Sequence, residues 1–258
     1  MLKHSEYIKQ KLDKPIIQKG LVHIGINLND FFNFTDAENY AKQYSVTLKE
    51  QTARQQKSSV DSVLGKLVEE VIMYLLTLYF EQNKFDYIVT NNKTENETVK
   101  KIVHSLRIER KHSSHEKYFD SDILIYSKTN FQNTNKVFIL SVKGTTRERV
   151  GQFLSHLFLM DQDVLNVKYG KEKYEVIFTK QNISLKYAFV TLDWAKGKDF
   201  VKHSETGKIR STMKNTEVQL ILDDVRLGGG IYVLNNVENL DGIGNFASLV
   251  SRICDYLK

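Results

Sequence analysis

The sequence has very little cysteine, proline and tryptophan: among 258 residues there is one of each, Cys254, Pro15 and Trp194. A single cysteine excludes an intrachain disulfide and a cysteine-based zinc site. Long apolar runs are also missing, because the longest stretch, residues 71–80, is about half of what a membrane-spanning helix needs. The first residues are charged throughout, so we expect no secretory leader, no membrane segment and a cytoplasmic, intracellular protein.

The composition that remains is that of a folded, mildly basic protein. Lys and Arg number 37 against 31 Asp and Glu, which leaves a net charge of +6, and hydrophobic residues make up 41%. These values exclude wholesale disorder and favour, weakly, a nucleic-acid partner. No Gly/Ser linker divides the chain, so we expect a single domain over 1–258. Within it, we predict a helical part over 1–58, a core over 59–165 and additional strands with a closing helix over 166–258.

The spacing of apolar residues predicts both helices and strands. Ser59 is a candidate N-cap for a long helix with apolar positions at helical spacing from Val60 to Leu75. Further helices are predicted over 95–106, 147–161 and 247–256. Strands are predicted over 86–90, 122–126, 136–142, 174–179, 187–192, 217–222 and 231–236. This order indicates an α/β domain in which a mixed central sheet is flanked by helices.

The most informative residues are Asp122, at the start of one predicted strand, and Lys143, at the end of the next. Their connection is short enough for an antiparallel pair, which would bring Asp122 beside Ser141 and Lys143 at one end of the sheet. A carboxylate there suits Mg²⁺, a hard cation that prefers carboxylate and phosphate oxygens. A lysine there could orient a water molecule or stabilise charge on a phosphate, so the pair is suited to metal-assisted phosphodiester hydrolysis.

These residues lie in a pattern that resembles the PD-(D/E)XK nuclease core of type II restriction endonucleases. Asp122 precedes an apolar strand, Ser141-Val142-Lys143 ends the next, and the continuation GTTRER resembles the run that follows the catalytic lysine in some of those enzymes. Upstream, Gly65 and Glu69 match a G-x-x-x-E helix that supplies an acid to the same site. The resemblance spans about residues 59–153 and implies a restriction-endonuclease-like core, Mg²⁺ dependence, and Asp122, Ser141 and Lys143 as site residues.

The pattern departs from the family at Ser141, where the usual second acid stands two residues before the lysine. One branch of the family has S-x-K and recruits a carboxylate from an adjoining helix. One carboxylate and a serine bind Mg²⁺ poorly, so a further acid is needed. Glu69 is the first choice as this ligand and Glu148 the second, while Glu70 and Asp120 are further alternatives.

Basic residues flank the predicted site and are candidates for gripping DNA phosphates. The residues are Arg54 and Lys57 before the Glu69 helix, Arg107, Arg110 and Lys111 before the Asp122 strand, and Arg147 and Arg149 after Lys143. A basic segment over 196–214 is predicted to be a loop that could reach a groove of the DNA.

The function that the resemblance implies is a type II restriction endonuclease, which makes a Mg²⁺-dependent double-strand cut at a short sequence in double-stranded DNA. Cutting both strands of a symmetric site suggests a homodimer. Two alternatives stay open. One is a repair or resolving nuclease on the same core, and the other is a non-catalytic DNA-binding protein on a degenerate nuclease fold.

Overall fold

The structure is a computed structural model that describes residues 4–12, 39–40, 42–43, 53–111, 116–143, 160–170, 173–191, 200–202, 209–211, 230–233 and 243–258. The helices in this part of the chain are α1 (His4–Leu12), α2 (Ala53–Gln82), α3 (Glu97–Ser105), α4 (Phe131–Thr134), α5 (Gln162–Tyr169), α6 (Ile177–Lys180) and α7 (Phe246–Leu257). The strands are β1 (Tyr87–Asn91), β2 (Arg107–Arg110), β3 (Glu116–Tyr118), β4 (Ile123–Ser127), β5 (Lys136–Lys143), β6 (Tyr174–Val176), β7 (Ser184–Thr191), β8 (Phe200–Lys202), β9 (Ile209–Ser211), β10 (Ile231–Val233) and β11 (Ile243–Gly244).

A six-stranded mixed sheet in the order β1-β4-β5-β7-β10-β11 forms the centre of the molecule. The strands β1, β4 and β5 pair antiparallel, whereas β5, β7, β10 and β11 pair parallel. The carboxyl ends of β5, β7 and β10 therefore lie at the same end of the sheet as the start of β4. This arrangement confirms the predicted α/β class and the antiparallel pair of the Asp122 and Lys143 strands.

The two faces of the sheet are each covered by a separate hydrophobic cluster, because side chains alternate along a strand. Phe138, Leu140 and Val142 of β5 pack on the first face, while Val137 and Ile139 pack on the second. The helices α1, α2 and α7 cover the first face. The second face is covered by α3, by Leu165 of α5, by Phe178 of α6, and by a small sheet in the order β3-β2-β6.

The helix α2 packs along the first face because its apolar residues recur at helical spacing. Leu67, Val71 and Leu75 are fully buried, and so is the residue that follows each of them along the helix. The helix begins at Ala53, so the prediction that Ser59 caps its start is wrong. The polar residues from 53 to 59 continue the helix, since none of them is a glycine or a proline that would stop it.

Helix ends elsewhere follow local chemistry. Asn96 caps α3, because its side chain accepts hydrogen bonds from the main-chain N–H groups of Thr98 and Val99. Asn245 caps α7 and forms a capping box with Ser248. Both helices were predicted from their apolar spacing, and their boundaries differ from the predictions by one or two residues.

None of the described helices is both long and apolar enough to cross a membrane.

Two predictions about the elements are wrong in part, and some elements were not predicted. The strand expected over 174–179 ends at Val176 and continues as α6, and β6 joins the small sheet instead of the central one. The strands β2 and β3 and the helix α5 were not predicted. Part of the segment expected to be a basic loop forms the antiparallel pair of β8 and β9. The strand predicted over 217–222 and most of the helix predicted over 147–161 lie outside the described residues.

Candidate active site

The carboxylate of Asp122 is held at the end of β5. Pairing of β4 with β5 sets Ile123 opposite Leu140, and one further residue places Asp122 across from Ser141. The main-chain N–H of Asp122 donates to the carbonyl oxygen of Leu140 at 3.0 Å. In return, the N–H of Val142 donates to Oδ2 of Asp122 at 2.7 Å. The carboxylate is therefore anchored to β5 at the residue next to Lys143, through the antiparallel pairing that the sequence predicted.

Ser141 is a buried polar residue on this strand, with 1% of its surface exposed. It lies on the second face, because it alternates with Val137 and Ile139. Its Oγ lies 3.5 Å from Oδ2 of Asp120, at the outer limit of hydrogen-bond distance. The site therefore contains two carboxylates from one short segment, Asp120 and Asp122. Sequence reasoning named Asp120 only as one of several alternatives.

Tyr187 of β7 is a site residue that sequence reasoning missed. Its side chain is fully buried, and its hydroxyl donates to the main-chain carbonyl oxygen of Asp120. Burial and the nearby carboxylate of Asp120 raise the pKa of the Tyr187 hydroxyl well above its ordinary value. A hydrogen bond with Ser141 lowers this pKa, but by less. The hydroxyl therefore keeps its proton and acts as a donor at neutral pH.

Asn92 is the second missed residue. It follows β1, and its Nδ2 donates to the carbonyl oxygen of Ser121 at 2.8 Å. In sequence it stands within an N-x-T pattern, which gives no sign of this contact. Its position is explained by the pairing of β1 with β4, which brings Asn91 opposite Ile123.

Lys143 is the last residue of β5, opposite Thr191 of β7. The position of its main chain agrees with the prediction, and its side chain lies outside what the structure describes. Glu148, Arg147 and Arg149 also lie outside the described residues. Arg54 and Lys57 lie in the first turns of α2, where only the main chain is described.

Glu69 lies on α2, the helix that covers the first face, whereas Ser141 and Tyr187 belong to the second. The side chain of Glu69 is half-buried. Its assignment as the further acid stays a prediction.

Glu70, the next residue of α2, is half-buried. Its Oε2 is buried and has no hydrogen-bond partner among the residues that the structure describes. Burial raises the pKa of Glu70, and the nearby ammonium of Lys66 opposes this effect.

The basic residues before Asp122 fall into two groups. Arg107 is buried, and its guanidinium pairs with Glu109 and lies 3.7 Å from Glu116, so its charge is compensated inside the small sheet. Arg110 and Lys111 at the end of β2 are exposed. A phosphate contact by these three residues stays a prediction, and the ion pairs of Arg107 give it a structural role as well.

The residues present suit Mg²⁺. The side chains of Asp120 and Asp122 supply carboxylate oxygens, and Mg²⁺ in proteins is commonly held by one or two carboxylates together with waters and substrate phosphates. No group of three His, Cys, Asp or Glu side chains that could hold a metal occurs among the described residues. Any third protein ligand must therefore come from outside them or from a rearranged side chain.

No protein-family model and no curated protein matches the sequence. Among solved structures, the chain is similar to the restriction endonuclease PspGI in complex with substrate DNA, at 14% identity and a TM-score of 0.45, over 98% of this chain and 91% of that one. It is also similar to metal-depleted Ecl18kI in complex with uncleaved DNA, at 12% identity and a TM-score of 0.42, over 98% and 69% of the two chains. The first of these proteins is named as a restriction endonuclease, the class whose motifs this sequence resembles. Both similarities concern the fold alone.

Proposed function

We propose that the protein is a Mg²⁺-dependent endonuclease that cuts both strands of DNA at a short specific sequence. The observation that carries this proposal is the hydrogen bond of 2.7 Å from the N–H of Val142 to Oδ2 of Asp122. It anchors a carboxylate at the end of β5, one residue from Lys143. A carboxylate and a lysine at adjoining strand ends suit metal-assisted phosphodiester hydrolysis, in which the carboxylate helps to hold the metal and the lysine stabilises charge on the phosphate.

Each residue then has a definable task. Asp122, with one further carboxylate, would hold Mg²⁺, which when bound supplies an acidified water and offsets charge on the phosphate. Lys143 orients the attacking water or stabilises the developing negative charge. Ser141 occupies the position of the missing acid. The predicted acids Glu69 and Glu148 are the first candidates for the further carboxylate.

The partner in this proposal is double-stranded DNA. The exposed Arg110 and Lys111, together with the predicted contacts Arg54, Lys57, Arg147 and Arg149, would bind phosphates and fix the position of the duplex. A homodimer would place one site on each strand of a symmetric sequence. With its single cysteine and its DNA substrate, we place the protein inside the cell.

The proposal is tested by digestion of long linear DNA with the purified protein, in Mg²⁺ and in EDTA. The key variant is Lys143→Ala, and Lys136→Ala is its matched control, since Lys136 begins the same strand at the opposite end of the sheet. We expect discrete fragments in Mg²⁺ alone. Lys143→Ala should lower the cleavage rate by about 10²- to 10⁴-fold, whereas Lys136→Ala should leave it unchanged.

The other outcomes separate the alternatives. A metal-dependent smear would retain the nuclease but remove its sequence specificity, and cleavage directed by damage or junctions would favour a repair or resolving enzyme. DNA that stays intact under every condition would contradict the proposal. Salt-sensitive duplex binding without cleavage would then indicate a DNA-binding protein on a degenerate nuclease fold.

A further inference from the structure

The segment that carries both carboxylates, residues 119–122, is held to four different parts of the fold. Each residue is anchored through a main-chain atom, in addition to the bond that the carboxylate of Asp122 accepts from Val142. The N–H of Phe119 donates to the carbonyl of Leu106 at 2.9 Å, the carbonyl of Asp120 accepts from Tyr187, the carbonyl of Ser121 accepts from Asn92 at 2.8 Å, and the N–H of Asp122 donates to the carbonyl of Leu140 at 3.0 Å.

The two carboxylates meet the end of β5 at consecutive residues. Asp122 accepts from the N–H of Val142, and Asp120 lies against the hydroxyl of Ser141. Ser141 stands where the resemblance expects an acid. The carboxylate of Asp120 thus lies 3.5 Å from the Oγ atom of the residue that replaces the missing acid.

Tyr187 connects these groups from the neighbouring strand. It is fully buried on the second face, and its hydroxyl reaches both the main chain of Asp120 and the side chain of Ser141. A tyrosine hydroxyl is not needed to fill this core, since phenylalanine would occupy nearly the same volume. Its hydroxyl instead binds the main chain of the residue that carries the Asp120 carboxylate.

We propose that Asp120 supplies the second carboxylate of the site in place of the acid missing at Ser141, and that Tyr187 is a positioning residue for it. This inference rests on the proposed function and names a ligand of the same site. Asp120 arrives on the same face as Ser141, whereas Glu69 belongs to a helix on the other face. Asp120, from the segment that precedes β4, thereby takes the place of the acid that is absent from β5 at Ser141.

The test measures binding of Mn²⁺ alone to the full-length protein by electron paramagnetic resonance, so it does not depend on cleavage. Asp120→Asn and Asp122→Asn should show no binding at a Mn²⁺ concentration that saturates the natural protein. Tyr187→Phe should lower the affinity by about 10-fold, as expected for a residue that orients a metal ligand. The matched control is Tyr256→Phe, which removes a hydroxyl bonded to Ser184 at 2.7 Å, at the other end of β7.

A parallel measurement of DNA cleavage against Mg²⁺ concentration separates positioning from general damage to the fold. Tyr187→Phe should need more Mg²⁺ and recover the full rate when Mg²⁺ is raised, which a merely destabilised protein would not do. Urea unfolding shows whether each variant is folded. If Asp120→Asn does not fold, the decision rests on Tyr187→Phe.

The failure of this inference is distinct from the failure of the proposed function. Mn²⁺ affinity that is unchanged in Asp120→Asn or in Tyr187→Phe overturns the inference, even if the protein cuts DNA through Lys143. Absence of Mn²⁺ binding by the natural protein overturns it as well. Binding that requires Asp120 and Asp122 in a protein that never cuts DNA supports the inference and contradicts the nuclease.

Discussion

The two ends of the central sheet both carry aspartates, but they hold them in different ways. At the far end, Oδ2 of Asp86 accepts from Oγ of Ser127 at 2.9 Å, from the N–H of Thr129 at 3.1 Å and from the Thr129 hydroxyl. These bonds, chiefly the one from the Thr129 hydroxyl, lower the pKa of Asp86. This carboxylate closes the turn after β4 and has a structural task.

At the site end, each of residues 119–122 is bonded through a main-chain atom, and the carboxylate of Asp122 accepts one further bond from the N–H of Val142. Asp120 and Asp122 enter beside a buried serine and a buried tyrosine, at the point where the sheet changes from antiparallel to parallel pairing. An aspartate at a strand end is therefore not by itself a sign of chemistry, since Asp86 has a structural role at such a position.

The largest effect is expected from truncating a core side chain in the middle of the sheet, which supports both ends. Phe138 is fully buried in the middle of the sheet, opposite Ile125 and beside Lys186. We expect Phe138→Ala to lower the free energy of unfolding by about 3–5 kcal/mol, because it leaves a cavity under both ends. Urea unfolding measures this change, and Val167→Ala, at a residue that is 88% exposed, is the control and should stay within about 0.5 kcal/mol. A small loss in Phe138→Ala would show that the two ends are stabilised independently.

The next prediction compares one aspartate variant at each end of the sheet. Asp86→Asn should lower the free energy of unfolding by about 1.5 kcal/mol at pH 7, because hydrogen bonds to a charged acceptor are lost and solvent weakens them at this exposed residue. It should leave DNA cleavage unchanged. Asp122→Asn should abolish cleavage with a smaller effect on unfolding.

The pH dependence of Asp86→Asn has a defined sign. Because the pKa of Asp86 is lowered in the folded protein, its stabilisation is present above its ordinary value of 3.8 and is lost as the pH falls through the folded value. Urea unfolding between pH 3 and pH 7 should therefore show the difference from the natural protein vanishing in acid. A difference that grows in acid would contradict this assignment.

The smallest effect concerns Glu70, the half-buried residue that follows Glu69 on α2. Because burial raises its pKa, Glu70 stabilises the fold most below its ordinary value of 4.5, and this contribution is lost as the pH rises through the folded value. Glu70→Gln should therefore stabilise the protein by about 0.5 kcal/mol at pH 7. Urea unfolding from pH 4 to pH 8 measures this. Destabilisation at pH 7 would instead indicate that the ionised carboxylate is bound by a cation or another partner.

Much of the fold was predictable where the signal is local. The helical spacing of apolar residues located α2, α3 and α7, and short runs rich in Ile, Val, Phe and Tyr located the strands β1, β4, β5, β7 and β10. The strand β2 was not predictable in this way, because three of its four residues are charged. It forms because β3 and β6 pair with it and because Glu109 and Glu116 compensate Arg107.

The same division holds for the candidate site. The sequence by itself determined that Asp122 and Lys143 stand at adjoining strand ends, because two apolar strands joined by a short connection pair antiparallel. Only the tertiary structure decided that Tyr187 and Asn92 reach the segment between them. Both contacts depend on pairing of β5 with β7 and of β1 with β4, and that register is set by packing on both faces of the sheet, which no local pattern encodes.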